Sequence, residues 1–149
     1  KIPFSLFITK GSHIPKMIKI DFIAKISPEA GLNKTEIGDI LNKSFSELGK
    51  TEVFCLEIWF AENETVQQLN RKYRNINKPT DILSFPQNEL AGSGKKLLGS
   101  LVVSSKMVRE KQEAMSDVLK HGLLHLLGYD HEASEEEWGR AAEMIGCEL

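Results

Sequence analysis

Three of the four histidines in this 149-residue chain, His121, His125 and His131, fall in one short stretch, and no other feature restricts the fold as tightly. His121 and His125 stand four apart, so a helix through them sets both imidazoles on one face, one above the other. Residues 116–127 read as that helix. Ser116 is a candidate N-cap, Asp117 suits the first turn, and Val118, Leu119, Leu123, Leu126 and Leu127 supply apolar contact. Gly128 is placed to end it, because glycine enters the left-handed conformation without a Cβ penalty. Tyr129 and Asp130 then turn the chain, and His131 can swing back toward the first two.

Three neutral imidazoles meeting at a point suit one zinc ion with an open fourth position. That is the arrangement of a catalytic zinc; a structural site would close with a fourth ligand, usually cysteine. The His-x3-His-x5-His spacing, with Gly128 in place, is similar to the zinc helix of metzincin proteases except at one residue. Where those enzymes carry a glutamate base, this chain has Gly122. The bland alternative is three unrelated histidines on a buried helix and the turn behind it.

The chain is long enough for a single domain, 1–149, with a proper core. Its first residue is not Met and Gly11-Ser12-His13 reads like a cloning scar, so residues 1–13 are expected to be foreign or without fixed structure, the isolated His13 among them. No apolar run approaches the roughly 20 residues that span a bilayer, and no secretion signal is evident. A cytoplasmic protein with no membrane partner is expected. Cys55 and Cys147 form no C-x-x-C pair, which suits a reducing compartment. The net charge of −2 conceals an asymmetry: residues 1–111 carry 17 Lys/Arg against 12 Asp/Glu (+5), and residues 112–149 carry 2 against 9 (−7). A polyanion would have to be met by a local basic patch in the first three quarters.

Along the chain, residues 3–8 and 17–22 both read as strands, the second being favoured as the first strand of the sheet, with Ile18, Ile20 and Phe22 pointing one way. Asn33-Lys34-Thr35-Glu36 is a capping-box signature ahead of a helix closed by Gly49. Residues 53–60 are the strongest strand, apolar enough to predict helices on both its faces. Asn63 caps a helix that ends in residues 70–75. A turn at 78–81 leads to a strand at 82–85 stopped by Pro86. Residues 87–96 are a loop, 97–104 a strand, 106–115 a helix, and 135–145 a last helix with an acidic first turn. This alternation predicts an α/β (α+β) layered domain: a mixed sheet of about four strands, helices packed on it, and the zinc helix central.

Two stretches carry a family resemblance. One is His121-Gly122-x-Leu124-His125-Leu126-x-Gly128-Tyr129-Asp130-His131. The other is Leu69-Asn70-x-x-Tyr73-Arg74-x-x-x-Lys78-Pro79-Thr80-Asp81-Ile82-Leu83-Ser84-Phe85-Pro86. Over about residues 50–149 the chain resembles the YbeY family of bacterial endoribonucleases. The resemblance implies zinc ligands at His121, His125 and His131 and a functional arginine at Arg74. It also implies action on single-stranded RNA, in maturation of the 3′ end of 16S ribosomal RNA and in quality control of the 70S ribosome, with the small subunit as partner. The chain departs from the family's Leu-Gly-Asp pattern at Leu98-Gly99-Ser100, where serine replaces the aspartate.

The chemistry is consistent with that reading. A zinc held by three histidines brings the pKa of its water to about 7. The missing glutamate matters most for peptide hydrolysis, which needs a base to pass a proton to a poor leaving group. Phosphodiester cleavage instead builds negative charge on phosphoryl oxygens, which an arginine fork meets. Arg74 is therefore the candidate phosphate contact, with Arg71, Lys72 or Lys78 guiding the backbone, although without the resemblance Arg74 would read first as a solvated helix-end charge. Thr80, Asp81 and Ser84 read as turn and strand chemistry. Asp130 either orients a histidine ring or builds the turn, and Tyr73 either stacks on a base or joins the core. Trp59 and Trp138 read as packing, and Glu135-Glu136-Glu137 as a solvated face. A metzincin-like protease and a non-catalytic RNA- or ribosome-binding protein with a structural metal are the competing readings.

Overall fold

The structure, a computed structural model, describes residues 17–87 and 96–149. In chain order it forms β1 (Ile18–Ile23), a 3-10 turn (Pro28–Ala30), α1 (Lys34–Glu47), β2 (Phe54–Phe60), α2 (Asn63–Arg74), β3 (Ile82–Pro86), β4 (Lys96–Val103), α3 (Ser105–Glu110), α4 (Met115–Leu126) and α5 (Glu135–Ile145). The strands lie in the order β1-β2-β4-β3. β1 and β4 run parallel to β2, and β3 runs antiparallel to β4. This is the mixed four-stranded α/β arrangement that the alternation of elements predicts. The strand predicted at 3–8, His13 and most of the 87–96 loop lie outside the described residues.

The main core fills one face of the sheet. Leu56, Ile58, Phe60, Leu101 and Val103 pack there against Ile37, Leu41 and Phe45 of α1 and Val118, Leu119 and Leu123 of α4. Each such fully buried side chain contributes about 1.5–3 kcal/mol. On the other side of α4, Leu124 joins Trp138, Ala141, Ala142 and Ile145 of α5. The histidine helix is thus wedged between sheet and α5, central as expected. On the opposite face of the sheet, Val66 of α2 packs with Leu83 and Val102, flanked by Trp59, Leu69 and Phe85.

That second face corrects one expectation. β2 is not covered alike on both sides: Leu56, Ile58 and Phe60 are buried, whereas Glu57 and Trp59 between them are half-buried. The reason is that α2 packs toward β3 and β4 and leaves part of β2 uncovered. Apolar aromatic residues such as Trp59 make a strand look buried on both faces even when one stays partly open.

The helix ends show where local signals held. The capping box is present: Asn33 Oδ1 accepts from Glu36 N at 2.8 Å, and Glu36 Oε1 accepts from Asn33 N at 3.1 Å. α1 stops ahead of Gly49, whose φ is +75°. Elsewhere tertiary contacts redirect the caps. Asn63 is the first helical residue of α2 rather than its cap, and its Oδ1 accepts from Ser104 Oγ at 2.9 Å. Ser116 lies inside α4, which begins after Ala114 with no side-chain cap. The helix predicted at 106–115 is shorter and earlier. Ser104 caps it by accepting from Met107 N, and Gln112 breaks it with φ +56°.

Candidate active site

α4 delivers the first two histidines as the spacing requires. Their ring centroids are 4.8 Å apart, and the two Nε2 atoms face each other at 3.1 Å. Gly128, with φ +93°, ends the helical run. The following turn is built by Asp130, whose Oδ1 accepts from Glu132 N at 2.9 Å and whose carbonyl accepts from Ser134 N at 2.9 Å. Asp130 therefore builds the turn, and its charge also bears on His125. The turn brings the His131 ring to 5.9 Å from His121 and 5.6 Å from His125. One ligand atom from each of the three lies within 4.8 Å of the others.

This donor set can hold a metal ion. With zinc–nitrogen bonds of about 2.0–2.1 Å, two nitrogens on a tetrahedral ion stand about 3.3 Å apart, close to the 3.1 Å between the paired Nε2 atoms. The rings of His121 and His125 are also biased toward the neutral, metal-binding form. Burial pushes the His121 imidazole below its ordinary pKa, reinforced by the neighbouring His125; burial followed by the charge of His131 does the same to His125. His121 Nδ1 is buried with no hydrogen-bond partner; weak backbone help from Leu149 is outweighed by desolvation.

Gly122 explains why the protease glutamate is missing. α4 lies so close to the sheet that a Cβ here would come within 2.6 Å of Ile82 Cδ1 and 2.8 Å of Leu101 Cδ2. Position 122 faces core, where a glutamate would push aside the ends of two apolar side chains and bury its carboxylate without a partner.

Trp138 is the site residue that sequence reasoning took for packing alone. It is buried, at 8% exposure, and its ring centroid lies 4.9 Å from both His121 and His125 and 5.2 Å from His131. The indole is a common wall against which all three imidazoles rest. Only the docking of α5 on α4 reveals this, because no spacing rule links Trp138 to the histidine stretch.

Arg74 reaches the site from the end of α2. Its Nη2 donates to Ser84 O at 2.7 Å, and its charge bears on His125. Arg74, His121 and His125 together line a cavity of about 280 Å³ with Thr80, Asp81 and Ser84. Of the other cations predicted for the site, Arg71, Lys72 and Lys78 are exposed and do not line this cavity. The Lys78 carbonyl instead accepts from Asn70 Nδ2 at 2.9 Å, which pins the loop after α2.

Asp81 carries a further electrostatic feature. Burial opposes its ionised form, but a hydrogen bond from Glu113, the charge of Lys111, the Ile82 N–H and the Thr80 hydroxyl together lower its pKa. Glu113 answers in the opposite direction. Burial first, then the hydrogen bond and charge of Asp81, push it up to about 7. Ionised Asp81 thus favours the protonated form of Glu113.

The sequence has relatives. The family described as Endoribonuclease YbeY matches residues 24–146. The chain belongs to the YbeY family. Its relatives include proteins named Endoribonuclease YbeY from Sulfurihydrogenibium sp. (38% identical over 71% of this chain and 74% of that one) and Aquifex aeolicus (36% over 76% and 79%). Another, from Bacillus cereus, is 30% identical over 85% of this chain and 93% of its own. YbeY membership places the chain among the endoribonucleases, which are hydrolases. Ser100 stands where the resemblance implies an aspartate. It lies on the outer face of the sheet, away from the histidine cavity, where its Oγ donates to Glu57 Oε1 at 2.8 Å.

Proposed function

We propose that this protein is a zinc-dependent, single-strand-specific endoribonuclease with His121, His125 and His131 as the ligands of one zinc and Arg74 as the phosphate-binding catalytic residue. The observation that carries the proposal is the convergence of three imidazoles beside an arginine on one cavity wall. When bound, zinc supplies Lewis acidity at the phosphoryl group and makes water acidic enough to ionise near neutral pH. The protein's own groups do the rest. The neutral rings of His121 and His125 keep lone pairs available for the ion, and Trp138 shields one side of them from water. Arg74 is held by Ser84 O with guanidinium N–H groups left to fork onto a phosphate, so it meets the negative charge that builds there during cleavage. The names of the relatives and the YbeY motifs support RNA as substrate. The finer reading is action in 3′-end maturation of 16S ribosomal RNA and quality control of the 70S ribosome, in the cytoplasm with the small subunit as partner. Consistent with this, no helix of the described residues is long and apolar enough to cross a membrane.

The test offers purified protein a ribosomal RNA precursor, a duplex RNA and casein, with and without chelator. Single-stranded RNA should be cut, and chelation should stop the cutting. Cleavage of casein, or RNA cleavage that survives zinc removal, overturns the reading. Arg74→Ala should lower cleavage about 10²–10³-fold, as loss of a transition-state donor does, while one zinc stays bound. His125→Ala should bring zinc well below one per chain.

A further inference from the structure

The outer face of the sheet carries a groove that the metal chemistry leaves unused. It has a volume of about 340 Å³ and is lined by Glu57 and Trp59 of β2, Ser100 of β4, Phe85 of β3, and Leu69 and Tyr73 of α2. That volume is at the small end of the range for ligand sites, about 300–1,000 Å³. The groove exists because α2 leaves β2 partly uncovered, and because Glu57 and Ser100 are register partners whose side chains share this face.

Its walls, floor and rim differ chemically. The walls are aromatic: Tyr73, 59% exposed, stands edge-on to Phe85 at 5.5 Å, with Trp59 beside them. The floor is an acceptor. Glu57 Oε1 takes the Ser100 hydroxyl, and among the described residues no cation pairs with the carboxylate. The rim is cationic, with Lys72 Nζ 5.1 Å from the Tyr73 centroid and the Arg74 guanidinium 5.9 Å from that of Phe85. Arg74 also lines the histidine cavity, so one side chain joins the two sites.

Aromatic walls suit the face of a base, a carboxylate suits its N–H edge, and rim cations suit its phosphate. We infer that the groove is a nucleobase subsite for the nucleotide next to the cleaved phosphodiester, and that it prefers guanine. The base stacks among Trp59, Tyr73 and Phe85, and its phosphate meets Arg74 and Lys72. Glu57 accepts from guanine N1–H and N2–H together. Uracil offers a single N–H between two carbonyls that face the carboxylate unfavourably. The inference rests on the nuclease reading and adds a base specificity to it.

The test measures fluorescence anisotropy of 2′-O-methyl RNA pentamers on the whole zinc-loaded protein. The pentamers are all uridine or carry one central guanine. Guanine should tighten binding by about 5- to 150-fold, the range of one good bidentate base contact. Glu57→Gln keeps shape and removes the charge; it should cut the preference to within about twofold without weakening all-uridine binding, because the repulsion of the uracil carbonyls is removed with the charge. Tyr73→Ala should weaken every pentamer by about 5- to 150-fold. Tyr73 is exposed, so the variant should keep its fold and its zinc, checked by thermal melting and metal analysis. Equal affinity for the two pentamers, or a preference that survives Glu57→Gln, overturns the inference. Both results differ from failure of the nuclease reading, which would show as intact precursor RNA with wild-type protein.

Discussion

Two glycines show how a single side chain is excluded. Gly122 lies in the middle of α4, where alanine would normally stabilise a helix by roughly 1 kcal/mol. Its place against Ile82 and Leu101 reverses the choice for anything larger. Gly122→Glu, the change that would complete the protease motif, should destabilise by about 3–5 kcal/mol, because it buries an unpaired carboxylate in the core. Urea unfolding of the two proteins checks this; a variant as stable as wild type would show that helix and sheet are not in close contact. Gly99 has φ +150°, and a Cβ there would come within 2.3 Å of the Phe85 carbonyl oxygen. Backbone cannot yield as a side-chain end can, so Gly99→Ala should also lower the urea midpoint clearly. Neither constraint is visible at its own position in the sequence. A helical glycine and a strand glycine each signal close approach, but not to what.

The segments around the cavity are joined by the carboxyl pair of Asp81, ahead of β3, and Glu113, ahead of α4. Glu113 has its pKa raised to about 7 in the folded state from 4.5. The stability it contributes is therefore full below pH 4.5 and lost as pH rises through about 7. Asp81, lowered, works in the opposite direction at low pH. Glu113→Gln cannot ionise, so its melting temperature should exceed that of wild type at pH 8 and come close to it at pH 4. Melting curves at the two pH values test this; a difference that does not grow with pH would mean the two carboxyls do not interact. The elements themselves were mostly legible. The capping box at Asn33 and Glu36 needs only residues three apart, and the structure contains it. Ser116 and Asn63 misled as caps because each has cap chemistry, yet Asn63 Oδ1 is engaged by Ser104 and α4 starts one residue ahead of Ser116.

For the whole molecule, metal, pH and fold stability are linked. In the metal-free protein His121 and His125 have pKa values below 6.5, chiefly through burial. The unfolded chain then takes up protons first as pH falls, so stability present above pH 6.5 is lost below it. Zinc at about 100 times its Kd should add about 2.7 kcal/mol, and less in acid, where protons compete for the same nitrogens. The rise in melting temperature on adding zinc should therefore be larger at pH 7.5 than at pH 5.5; an equal rise at both would place the metal on other groups. The histidine cluster, the helix that carries two of its members and the α/β alternation could be read from the chain, because each depends on residues close in sequence; a long motif singles out Arg74. The Trp138 wall, the Asp81–Glu113 pair, the exclusion of a side chain at Gly122 and the groove around Glu57 could not. They arise where α5 docks on α4, where α4 presses on the sheet, and where α2 stops short of β2. Spacing along a chain determines which face of an element a residue occupies, and only packing decides what that face meets.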